Sequence, residues 1–167
     1  MEVTYRINTR EGDELIISLS STYPHIKDLL APYFCDIEII DMSIVRKNGA
    51  DVIRMATLKE IADKTVNILD NSPNAILFYI CDSTEKIPNI RRSRKILCQQ
   101  YRDELFSKMF ERYTANLDSN WIDYKIIAEV ENEPQYIHII YRKEHTDAIS
   151  ILKQEVLSTI EYIDNEK

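Results

Sequence analysis

Arg91, Arg92, Arg94 and Lys95 put four cations within five positions of an otherwise acidic chain, and they are the residues with the clearest chemical meaning. Between Lys86 and Arg112 there are eight Lys or Arg against three Asp or Glu, while the rest carries 13 against 25. Guanidinium groups fork onto carboxylates and phosphates, where charge-assisted hydrogen bonds are strongest. If these cations stand in the first turns of a helix, they also face the positive end of its dipole. Something negative must then lie nearby: a small anion, an acidic partner protein, or the chain's own carboxylates. Arg102 falls on the apolar side of the same predicted helix and must either snorkel to its edge or find a carboxylate there. Asp82, at the end of the preceding strand, is the expected partner. The expected binding set is therefore Arg91, Arg92, Arg94, Lys95 and Arg102, with Asp82 organising it.

Other reactive residue types are present without the spacing that chemistry needs. Cys81 with His138 as base would make a nucleophilic pair, but Cys81 lies in an apolar run where a thiol stays protonated and inert. His25, His138 and His145 are too scattered for a metal site. His138 sits on the polar phase of its strand and is expected at the surface, as are the paired carboxylates Asp13/Glu14, Asp103/Glu104 and Glu131/Glu133. Only Gly12 and Gly49 occur, so the glycine-rich phosphate loops and the G-x-S-x-G elbow have no counterpart. The expectation is a binding module rather than an enzyme, without a cofactor.

The 167 residues suit one domain over 1–167, large enough to bury its own core. Met1-Glu-Val-Thr-Tyr5 has neither the basic start nor the apolar stretch of a signal peptide. The longest apolar run, Ala75 to Cys81, is too short to span a membrane. Three unclustered cysteines fit a reducing cytoplasm. A net charge of −7 argues against broad nucleic-acid contact.

The elements that must position these residues follow from periodicity. Val3, Tyr5, Ile7 and Leu15, Ile17, Leu19 alternate about a polar turn and read as a hairpin. A short helix follows Pro24. A strand from Ile37 to Val45, bulged at Ile39-Ile40, pairs through Asn48-Gly49 with a strand from Asp51 to Met55. Thr57-Leu-Lys-Glu60 is a capping box opening a helix that ends before Pro73. Ala75 to Cys81 lacks polar alternation and reads as a central strand covered on both faces. The basic helix starts near Pro88, with Leu97, Tyr101, Leu105, Met109 and Tyr113 as its buried stripe. Strands around Ile122–Val130 and Ile137–Tyr141 flank a Glu131–Gln135 turn, and Thr146 caps a last helix. The expected class is α+β: one antiparallel-rich mixed sheet with helices packed on it and a C-terminal helix.

This element order resembles that of the GNAT-type N-acetyltransferases over about Pro24 to Tyr141, which implies acetyl-CoA as a ligand and acyl transfer as an alternative function. That family's Q/R-x-x-G-x-G/A cofactor loop has Arg54-Met-Ala-Thr-Leu-Lys59 as its counterpart here, without glycine. Separately, Phe78-Tyr-Ile-Cys-Asp82, Arg91-Arg-Ser-Arg94, Met109-Phe-Glu-Arg-Tyr113 and Ile139-Ile-Tyr-Arg142 resemble a family of small Bacteroidota proteins of unknown function. That likeness implies no activity.

Overall fold

The computed structural model describes residues 2–9, 12, 14–21, 28, 32, 36–47, 55–81, 97–115, 120–130 and 132–165. Its described strands are β1 (Glu2–Asn8), β2 (Glu14–Ser20), β3 (Glu38–Arg46), β4 (Ala75–Cys81), β5 (Trp121–Val130) and β6 (Glu133–Arg142). Its described helices are α1 (Met55–Asn71), α2 (Cys98–Thr114) and α3 (Thr146–Asn165), the last entered through a 3-10 turn at Lys143–His145. The strands form one six-stranded sheet in the order β1-β2-β3-β4-β6-β5. The β3–β4 pair is parallel and the other pairs are antiparallel. The architecture is α+β with a mixed sheet, as the periodicity indicates.

A parallel pair requires a crossover, and α1 supplies it between β3 and β4. Its apolar residues Leu58, Ile61 and Leu69 pack on one face of the sheet against Ile17, Ile40 and Leu77, and Met109 of α2 joins the same cluster. Pro73 cannot extend α1, and Ala75 N–H donates to the Ser72 carbonyl as the chain turns into β4. On the other face α3 lays Ala148, Ile149 and Leu152 over Ile39, Ile76, Ile126 and Ile139. His145 Nε2 lies 3.1 Å from the Pro73 carbonyl, which ties the entry of α3 to the start of β4. With helices on both faces, β4 is buried along its length except at Ile80.

Several local expectations give way to the packing. Ile39 and Ile40 need no bulge, because they point to opposite covered faces and the β2–β3 and β3–β4 registers run without interruption. Thr57 is not a cap: α1 already runs from Met55, and Thr57 is buried within it. Met55 therefore belongs to a helix, and the remainder of the strand expected at 51–55, like the helix after Pro24, lies outside the described residues apart from isolated positions. The β5–β6 turn is tighter than the sequence implied. Val130 pairs with Glu133, leaving Glu131 and Asn132 between them, with Asn132 at φ 64. Gly12 takes φ 81 in the β1–β2 turn, which is where its missing Cβ is useful.

α2 departs most. It begins at Cys98, because Leu97 is extended (φ −65, ψ 150). Its inward residues are Gln99, Asp103 and Met109, whereas Leu97 is 46% exposed and Tyr101 is also exposed. The apolar stripe holds only in the second half of the helix. In the first half, the inward face is polar.

Candidate functional site

That polar face meets a row of side chains presented by three adjacent strands. Tyr79 of β4 is paired in register with His138 of β6, and His138 with Lys125 of β5. Strand alternation puts Asp123 on the same face as Lys125. Asp103 descends onto this row from α2.

His138 is fully buried, at 0% exposure, and both of its ring nitrogens face carboxylates. Nε2 lies 3.0 Å from Asp103 Oδ1, while Nδ1 lies 2.9 and 3.0 Å from the two oxygens of Asp123. Lys125 Nζ donates to Asp103 Oδ2 at 3.1 Å. Ionised carboxylates only accept, so both imidazole contacts are hydrogen bonds when both nitrogens carry hydrogen. His138 thus bridges the two carboxylates, with the Lys125 ammonium on the other oxygen of Asp103. Tyr79 stacks flat on the imidazole, with ring centroids 4.6 Å apart and an interplanar angle of 2°. Burial, followed by the Asp123 carboxylate, the Cys81 thiol and the Asp103 carboxylate, pushes the Tyr79 hydroxyl far above its ordinary range.

The chemistry of this cluster is limited by its completeness. Both ring nitrogens of His138 are engaged by carboxylates, so neither is open to a substrate or a metal. Asp103, 4% exposed, has no open approach either. The network fixes α2 to β5 and β6 and neutralises charge that would otherwise be costly to bury. One donor nearby is unsatisfied: Gln99, 1% exposed and one turn ahead of Asp103, has its Nε2 buried with no hydrogen-bond partner among the described residues.

The expected surface positions of His138 and Asp103 are thus overturned. The polar phase of β5 and β6 faces α2 rather than water, and opposite charges draw Asp103 inward. A signal was present in the sequence: the same phase carries Trp121 and Tyr136, aromatic residues unsuited to a fully solvated sheet face. Cys81 is buried, as expected for a core thiol. Of the expected binding set, Arg102 is half-buried on α2. Asp82, Arg91, Arg92, Arg94 and Lys95 lie outside the described residues, and the four cations precede the start of α2 instead of forming its first turns.

The surrounding backbone is also distinctive. The β3–β4 ladder pairs Glu38–Asp41 with Ala75–Phe78 and ends there, although β3 continues to Arg46 and β4 to Cys81. Both helices that follow these strands start at this end of the sheet, since each carries the chain back across it. No helix among the described residues is long and apolar enough to cross a membrane. No family model matches the chain, and no curated protein or solved structure matches it.

Proposed function

We propose that this protein is a binding domain that holds an anionic group, on a small molecule or an acidic protein partner, where β3 and β4 part and α2 begins. The observation that carries this reading is Gln99 Nε2, a buried donor without an acceptor among the described residues, in the first turn of α2. A buried donor left unpaired costs about 1–3 kcal/mol, and an anion at the helix start would supply its acceptor. The cations Arg91, Arg92, Arg94 and Lys95 come just before that turn in sequence and would add charge-assisted contacts. The completed Asp103–His138–Asp123 network supports binding over catalysis, because both ring nitrogens of His138 are already engaged.

The test is the thermal midpoint during titration with inorganic phosphate at constant ionic strength. A saturable rise is expected in the native chain. It should be lost when Arg91, Arg92, Arg94 and Lys95 are changed to Glu, and reduced in Gln99→Leu. An absent rise, or an equal one in both variants, would end this reading.

A second reading, a diverged acyltransferase, is supported by the sheet order and by the divergence of a parallel strand pair joined through a helix. It predicts a saturable midpoint rise with acetyl-CoA that exceeds the rise with phosphate.

A further inference from the structure

Between α1 and α2, on the sheet face away from α3, lies a cavity of about 60 Å³, partly open to solvent. It is separate from the Gln99 end and independent of the anion reading. Met42 of β3, Tyr79 of β4 and Trp121 of β5 contribute to its wall, with Phe110 and Met109 from α2. Among the described residues, no Asp, Glu, Lys, Arg or His lines it.

Thr65, Thr114, Tyr79, Tyr113 and Trp121 bring polar atoms to the wall, and the two threonine hydroxyls are engaged within their own helices. Thr65 Oγ1 donates to the Ile61 carbonyl at 2.9 Å, and Thr114 Oγ1 to the Phe110 carbonyl at 2.9 Å. Each hydroxyl is thus turned back onto its own helix. A water needs two to four polar partners to be held in a protein interior, and here both threonine protons are already donated to helix carbonyls. An apolar occupant suits such a wall better than water does.

Size and charge narrow the occupant. A cavity of about 150 Å³ accepts benzene, so this one is small for a ring and far too small for a helix or peptide segment. An ionised group inside it would find no counter-charge. We infer that the cavity holds the terminal methylenes of an unbranched aliphatic chain whose polar head stays outside the open mouth.

The native protein can be tested with 1-butanol through 1-octanol, following the emission of Trp121, the single tryptophan of the chain. Methyl signals of Met42 and Met109 in methionine-labelled protein should shift along the same titration. The dissociation constant should fall about fourfold per added methylene and then level off once the slot is full. Toluene, too wide for the slot, should bind more weakly than 1-hexanol. Ala62→Leu fills the wall and should weaken 1-hexanol at least tenfold; Thr65→Leu is the second filling variant if the first does not fold. A Trp121 response that does not saturate, unmoved Met42 and Met109 methyls, or toluene binding as tightly as 1-hexanol would overturn the inference. So would undiminished 1-hexanol binding in a folded filling variant.

Discussion

Replacing Asp103 by Asn keeps the shape of the side chain and removes the charge that closes the buried network. His138 Nε2 would lose an ionised acceptor at 3.0 Å, and Lys125 would lose its contact at 3.1 Å. The two losses differ in weight. Asp103 and His138 are both withdrawn from water, and breaking a buried pair from one side costs about 3–5 kcal/mol. The Lys125 side chain is 40% exposed, so its share is that of a partly screened pair, about 0.2–1 kcal/mol. Asn can still offer its carbonyl to the imidazole, which places Asp103→Asn near the lower end, at about 3 kcal/mol. Against a total stability of about 5–15 kcal/mol, that is a large fraction. Urea unfolding followed by Trp121 fluorescence measures it, with Lys125→Met as the control expected to cost under about 1 kcal/mol. An Asp103→Asn cost below about 1 kcal/mol, or one equalled by Lys125→Met, would refute a buried network in which His138 bridges two carboxylates.

Two further predictions concern other features of the fold. Tyr79 keeps its proton in the folded state well above the pH where the unfolded chain releases it. Its contribution is therefore complete below about pH 10 and declines above it by about 1.4 kcal/mol per pH unit. Tyr79→Phe should make the urea midpoint fall less steeply between pH 9 and 11, leaving a residual slope from Tyr113 and Tyr141, whose hydroxyls burial also raises. An unchanged slope would mean that Tyr79 is not shielded. At the β5–β6 turn, Asn132→Ala should cost about 1 kcal/mol, because Ala tolerates a positive φ poorly. Asn132→Gly should be near neutral in the same urea assay, since glycine adopts that conformation without strain.

The fold was legible where one face of an element was uniformly apolar. The β1–β2 hairpin, the continuous Ala75–Cys81 strand and the Ile149/Leu152 face of α3 all announce their positions through alternation or period. Legibility failed where burial is polar. Gln99 and Asp103 occupy core-facing positions of α2, but taken singly each is an ordinary surface residue. What buries Asp103 is His138, 35 positions away in sequence, together with Lys125. No local window contains that pairing. The extended backbone of Leu97 was hidden for a related reason: the period counts Leu97 as part of the stripe, yet the helix is oriented by the polar residues that follow it.

The same polar burial bears on function. The closed arrangement of an imidazole, two carboxylates and an ammonium leaves neither ring nitrogen of His138 open to a substrate. What the arrangement provides instead is a fixed placement of α2 over β5 and β6, independent of an apolar seam in its first half. That fixity sets the start of the helix, and with it the Gln99 donor, at the end of the sheet where β3 and β4 diverge. A donor held that rigidly loses little freedom when an acceptor arrives, which is the condition under which a few hydrogen bonds become selective. Loosening the network from the far side tests this directly. Asp123→Asn changes neither Gln99 nor the cationic residues themselves, yet by the argument above it should weaken phosphate in the midpoint titration, whereas Lys125→Met, which leaves His138 bridged, should not.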